Sequence, residues 1–215
     1  MAVERKTLTQ LSVPICLETL FYMLSGMVDT LMLSSVGDQA VGAVGTANTY
    51  IGIFIIMFGV ISSGMVAVMS QNIGAGRPGI AYQARQLGLL FNASTGILMS
   101  VILAFCSGRI LKVVSIAPAL LEPAETYLKI VGGACFLNAL IPIFSSYLRV
   151  FGYTKHSLIG TIVGNAVNII FNSVFLFVFK WGVMGVAVAT VISKVVNLII
   201  VAAMGAVLIK AKQSP

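Results

Sequence analysis

Glu18, Asp29 and Lys194 are ionisable side chains set inside long apolar runs of a 215-residue sequence. A charge at the centre of a membrane helix costs about 2.5 to 3.5 kcal/mol on insertion scales, so such residues are the first place to look for chemistry. In the first run Glu18, Tyr22, Ser25 and Asp29 recur at helical spacing and share one narrow face. Such a face belongs against a cavity or a protein interior, not against lipid. A carboxylate there can take up a proton or coordinate a hard cation, while Tyr22 and Ser25 can line a substrate cavity. A second polar stripe, Thr161, Asn165, Asn168 and Asn172, repeats that spacing on a background of Ile, Val and Phe. Its amides offer carbonyl oxygens to a cation and both donors and acceptors to a ligand. Equally, they can hydrogen-bond between helices, and Gly160 and Gly164 beside them form a small-xxx-small pair that permits close packing.

Depth decides which of these residues can meet. Counted from the outer helix ends at about 1.5 Å per residue, Asp29, Asn172 and Lys194 lie at similar depth, with Thr190 a little shallower. A carboxylate, amides, a hydroxyl and an ammonium are therefore expected to converge in the outer half of a helix bundle. Lys194 has the alternatives of pairing with Asp29 or snorkelling. Glu18, within two turns of the inner end, has the alternative of reaching the interface.

The elements that hold these residues follow from composition. Hydrophobic residues make up 59% of the chain and charged residues 9%, with a mean hydropathy of +1.05; soluble domains carry about 25% charged residues. No water-soluble globule hides that much apolar surface. Apolar segments over 13–35, 46–69, 86–107, 128–148, 157–179 and 186–209 are each long enough to cross about 30 Å of hydrocarbon. Backbone groups in lipid need partners within the same segment, so the expected class is an all-α integral membrane protein with six transmembrane helices. Gly, Pro, Ser and Asp mark loops at 34–38, 74–79, 118–123, 152–155 and 180–182.

With the N-terminus inside, eight cations lie on the inner side (Arg5, Lys6, Arg77, Arg85, Arg149, Lys155, Lys210 and Lys212) and four on the outer (Arg109, Lys112, Lys129 and Lys180). That bias predicts both termini in the cytoplasm. The net charge of +7 is scattered singly rather than gathered on one face, which argues against nucleic acid as a partner. Residues 1–7 lead into the first span without a small-residue cleavage site, so no removed signal peptide is expected. The stretch 74–79 fits G-x-G-x-x-G but follows a membrane helix instead of a strand, and no acidic partner stands at the ribose-binding offset. Asn92 opens a glycosylation sequon within the third span, and His156 reads as a solvated loop residue. Cys16, Cys106 and Cys135 have no metal or disulfide spacing. Without a nucleophile beside a base or an acidic cluster, no enzyme is expected.

Several short motifs occur in order along nearly the whole chain: Val28-Asp29-Thr30, Val36-Gly37, Ala40-Val41-Gly42-Ala43-Val44-Gly45, and Gln71-Asn72-Ile73-Gly74-Ala75-Gly76. They continue with Leu148-Arg149-Val150-Phe151-Gly152-Tyr153-Thr154-Lys155 and Gly182-Val183-Met184-Gly185-Val186-Ala187-Val188-Ala189-Thr190. In these the chain resembles the N-terminal lobe of the multidrug and toxic compound extrusion (MATE) transporters. The resemblance implies a twelve-helix exporter of two six-helix lobes, parallel about an axis normal to the membrane, that expels organic cations and other amphipathic compounds in exchange for Na⁺ or H⁺. It implies that Asp29 is the coupling carboxylate, that Asn168 belongs to an Asn-x-x-x-Asp pattern of the fifth helix, and that Thr190 is a hydroxyl near the cation. Asp29 and Asn168 would be Na⁺ ligands. Asn172 departs from the pattern, standing where many members carry its Asp, and so removes a proton acceptor and a charged ligand.

The expected partners are membrane lipid, small amphipathic or cationic substrates and a second six-helix lobe, from another copy or a separate chain. The coupling ion, Na⁺ or H⁺, is the only cofactor-like species implied, and the expected location is the cytoplasmic membrane. Three arrangements stay open for a single lobe: a fragment, one chain of a split transporter, or a half that pairs with itself. Rival functions are a flippase for lipid-linked precursors, which wants a cationic cavity, and a non-transporting scaffold or inactive gene fragment.

Overall fold

The computed structural model describes residues 8–213, with side chains over 9–208. Arg5, Lys6 and the side chains of Lys210 and Lys212, which enter the orientation argument, lie outside the described residues, as does the segment 1–7. Seven α-helices follow one another: α1 (Leu8–Ser34), α2 (Asp38–Gly74), α3 (Pro78–Val113), α4 (Pro118–Tyr127), α5 (Cys135–Val150), α6 (Thr154–Ser173) and α7 (Gly182–Gln213). Among the described residues, five spans are long and apolar enough to cross a membrane, and α4 with α5 makes a sixth, bent by 43°. The protein is an all-α integral membrane protein. At 37 residues α2 runs about 55 Å, well past the hydrocarbon thickness, so the helices reach beyond the apolar segments that define them in the sequence.

Two helices depart from regular geometry. A π-helical stretch, Leu128–Gly132, carries α4 toward α5, and the chain bends beyond it at Gly133 and Ala134. A second, Val174–Val178, extends α6. Residues 118–123 are helical rather than a loop. Pro118 starts α4, where a missing N–H is one of the orphans of a helix end anyway.

The turns after α2 and α5 are closed by glycine. Gly76 and Gly152 have φ of 71° and 81°, and in each the following residue reaches back to cap the helix, Arg77 N–H to Asn72 O at 2.7 Å and Tyr153 N–H to Leu148 O at 2.9 Å. That is the Schellman arrangement, and its left-handed residue favours Gly.

Two apolar clusters fill the bundle. The larger joins Ile51 and Phe58 of α2, Leu103 and Leu111 of α3, Leu128, Ala139 and Val186. The smaller lies toward the turns after α2 and α5 and includes Met65, Met69, Ile143 and Tyr147, with the Arg85 guanidinium over the Tyr147 ring at 4.2 Å. Asn92, fully buried, donates to Phe58 O, Ala139 O and Ser62 Oγ, so it staples α3 to α2 and α5. His156 is in the first turn of α6, half-buried against the Tyr153 ring, not in a solvated loop. Outside the core, apolar side chains such as Leu31, Ile56 and Phe105 face outward, as a lipid solvent requires.

α6 and α7 approach closely because of their small residues. A Cβ added at Gly160 would meet Val201 Cγ1 at 2.7 Å and Asn197 Oδ1 at 2.8 Å. At Gly164 it would meet Asn197 Cβ at 3.2 Å.

Candidate functional site

A cavity of about 580 Å³ opens between α1, α2, α5, α6 and α7. All four residues of the α1 polar face, Glu18, Tyr22, Ser25 and Asp29, line it. So do Thr161, Asn165 and Asn168 of α6 and Thr190 and Lys194 of α7. Asn172 is different: it is fully buried behind Asp29 and does not line the cavity, correcting the expectation that the whole stripe faces it. The reason is contact, since an amide spent on a neighbouring carboxylate has no room to face a ligand as well.

Three polar contacts tie α1 to α6 at successive depths. Nearest the turn between α5 and α6, the Arg149 guanidinium pairs with Glu18 at 2.8 Å, and Ser157 Oγ donates to the same carboxylate at 2.9 and 3.0 Å. The Glu18 side chain is only 12% exposed, so it is an enclosed ion-pair partner and does not reach the interface. In the middle, Asn165 Nδ2 donates to Phe21 O at 2.6 Å. Toward the opposite end, Asn172 Nδ2 donates to Asp29 Oδ1 at 2.6 Å and to Asn168 Oδ1 at 3.2 Å.

The group around Asp29 has the composition of a site for a hard monovalent cation or a proton. Among the described residues, Asp29 has no hydrogen bond at its second carboxylate oxygen, and Asn172 Oδ1 is a buried acceptor without a partner. Thr190 Oγ1 donates to Val186 O at 2.8 Å. Tyr127, fully enclosed, sits beside Thr190 and Asn48 and within electrostatic reach of Asp29. Among the described residues no three His, Cys, Asp or Glu side chains gather. One carboxylate with amide and hydroxyl oxygens is a donor set for Na⁺ or H⁺ as cargo. Lys194 lies on the same cavity within electrostatic reach of Asp29, yet the ion pairs among the described residues are Lys129 with Glu125 and Arg149 with Glu18. It forms no direct pair with Asp29.

Some site residues escape a reading by charge alone. Arg149, on the cavity lining, looks like an orientation charge, and Ser157, which touches Glu18 from outside the lining, like an ordinary helix residue. Asn48, Asn138 and Asn197 also line the cavity. Their signal is an amide inside an apolar run, the same signal that marks the α6 stripe, but without a run of repeats to draw the eye.

The family model described as MatE matches residues 14–174, most of the chain and all three contacts between α1 and α6. The chain belongs to the MatE family. It is 36% identical over 197 residues, 90% of its length and 43% of the relative's, to the uncharacterized transporter YisQ of Bacillus subtilis. It is 26% identical, again over 90% of its length and 42% of the relative's, to the probable multidrug resistance protein NorM of Thermotoga maritima. Among solved structures, the outward-facing conformation of a multidrug resistance MATE family transporter superposes with a TM-score of 0.84 at 21% identity, over 93% of this chain and 44% of that one. The chain thus spans under half the length of these relatives, and its MATE fold is that of one six-span lobe.

Proposed function

We propose that this MATE lobe forms half of an exporter that moves amphipathic organic compounds, organic cations among them, across the cytoplasmic membrane in exchange for Na⁺ or H⁺. Asp29 is the coupling carboxylate, with Asn168, Asn172 and Thr190 as its oxygen neighbours, and Tyr22, Ser25, Thr161 and Asn165 line the substrate path. Both termini face the cytoplasm, which sets the Glu18–Arg149 pair at the inner end and Asp29 toward the outer end. The observation that carries this reading is the contact of Asn172 with Asp29 at the wall of a polar cavity. It fixes one carboxylate oxygen and leaves the other to a proton or cation.

Exchange follows from competition for that oxygen. A bound ion neutralises Asp29, and a cationic group of a substrate can do the same from the cavity side, so occupancy by one disfavours the other. The flippase alternative is less well supported, because the cavity lining carries as many acids, Glu18 and Asp29, as cations, Arg149 and Lys194, and so has no excess of positive charge. The relative named a multidrug resistance protein supports a drug-like substrate class.

The test is Asp29→Asn in cells and proteoliposomes, with the second lobe supplied. The amide keeps shape and some hydrogen bonding but removes the ionisable group, so ion-driven efflux of an amphipathic dye should fall to background while insertion and expression hold. Efflux at the parental rate across the pH range would mean that Asp29 is structural.

A further inference from the structure

Arg85 is a cation held in place without an acid. Its guanidinium lies over the Tyr147 ring of α5 at 4.2 Å and 5.9 Å from the Tyr82 ring of its own helix, and Tyr147 is itself braced edge-on by Phe151. A snorkelling arginine stretches toward water, whereas this one is laid on aromatic rings and partly buried. Rings offset a guanidinium charge only in part, and they leave its planar fork of N–H donors unmatched. The ion pairs among the described residues are Lys129 with Glu125 and Arg149 with Glu18, so no carboxylate answers Arg85.

The charge around it is uneven. At the end of the bundle that holds the turns after α2 and α5, the described side chains include the cations Arg77, Arg85, Arg149 and Lys155 and a single acid, Glu18, which Arg149 and Ser157 already occupy. At the opposite end Arg109, Lys112, Lys129 and Lys180 stand with the acids Asp38, Glu122 and Glu125. The first end therefore attracts a partner of net negative charge far more than the second.

Position says what that partner is. Arg85 immediately precedes the apolar segment 86–107, so it sits where hydrocarbon gives way to headgroups. α3 lies outside the cavity lining, and beyond Tyr82 the same flank of the helix continues at i+8 and i+15 with Leu90 and Ile97, both well exposed. A soluble anion makes no use of those side chains. The acyl chains of a lipid do.

We propose that Arg85, held between Tyr82 and Tyr147, binds the phosphate of an anionic phospholipid whose acyl chains run along Leu90 and Ile97. The guanidinium fork suits bidentate contact with phosphate oxygens. Arg77 and Lys155, both exposed at the same end, favour a headgroup that carries no ammonium of its own. The site is independent of what the cavity carries.

Native mass spectrometry of the full chain, delipidated in detergent and titrated with phosphatidylglycerol or phosphatidylcholine of the same acyl chains, reads the affinity of the first bound lipid. Phosphatidylglycerol should bind the parent about tenfold more tightly than phosphatidylcholine, and Arg85→Gln should weaken it about tenfold, the worth of a hydrogen bond to a charged group. Arg109→Gln, which removes a cation of the opposite end, should leave it unchanged, and excess inorganic phosphate should not displace it. Arg85→Lys keeps the stem and the charge but not the fork, so it should fall between the parent and Arg85→Gln; if circular dichroism shows the glutamine variant unfolded, the lysine variant decides. The site is wrong if the parent binds the two lipids equally, if the deciding variant binds phosphatidylglycerol as the parent does, or if Arg109→Gln loses as much as Arg85→Gln. Displacement by inorganic phosphate overturns the lipid as its occupant.

Discussion

At the scale of single residues, the outer site turns on Asn172. Its one amide nitrogen serves two oxygens, Asp29 Oδ1 at 2.6 Å and Asn168 Oδ1 at 3.2 Å, which no carboxylate at that position could do. The amide therefore holds a single negative charge in place, where the Asp of the Asn-x-x-x-Asp pattern implied by the resemblance would set a second acid beside Asp29. Replacing Asn172 with Asp exchanges that donor for a second charge. The two carboxylates then repel unless a cation lies between them, and near a protein surface two charges at about 4 Å interact by roughly 4 kcal/mol. Na⁺ should bind the Asn172→Asp chain at least about tenfold more tightly, a conservative share of that Coulomb energy. Equilibrium binding of radioactive Na⁺ at constant ionic strength reads this directly. An unchanged affinity would place Asn172 outside the ion site. Asp29 and the α6 stripe were legible in the sequence because a polar residue in an apolar run is costly in lipid unless it meets a partner, a cavity or an ion. Arg149 was not, since an arginine at a helix end has an ordinary use as an orientation charge, and only the folded contact with Glu18 at 2.8 Å reveals its second one.

At the scale of elements, α1 and α7 are attached to α6 by opposite means. α1 leaves most of its surface exposed and is pinned by three polar contacts, through Glu18, Phe21 and Asp29. α7 is held by shape, with glycine on α6 admitting Asn197 and Val201. Gly160→Leu therefore drives a side chain into atoms 2.7 and 2.8 Å from its Cβ, in a packed interface that has no slack. Overpacking of that kind costs about 1 to 3 kcal/mol. The melting temperature in detergent should fall by several degrees, whereas Gly64→Leu on α2, where nothing lies within 4 Å, should leave it unchanged or raise it slightly. Equal melting temperatures for the two variants would show that α6 and α7 are not in contact there. The small-xxx-small pair made this interface readable in advance. The 43° bend between α4 and α5 was not, because two prolines in a short segment read as a loop, whereas Pro118 starts α4 and Pro123 lies inside it.

At the scale of the whole molecule, the six spans followed from hydropathy alone, but what covers the cavity did not. Polar residues at its rim, among them Tyr22 and Asn48, are exposed on the single lobe. In hydrocarbon such groups are costly without partners, whereas facing a second lobe across a watered cavity they are satisfied. The opposite situation holds on α3, which contributes nothing to the cavity lining and turns Phe105 outward at 82% exposure. That face is at home in lipid. The lobe is therefore expected to associate, with another copy or a separate six-helix chain, through the cavity side. Bifunctional thiol crosslinking in native membranes tests both halves of the claim, with Cys16, Cys106 and Cys135 first replaced by Ala. Asn48→Cys should yield a species of about twice the lobe mass, and Phe105→Cys should not. Crosslinking through Phe105→Cys alone would put the interface on the lipid-like face. Monomer from both would mean that the lobe carries its polar cavity without a partner, and the exporter reading would then lose the second lobe on which it depends.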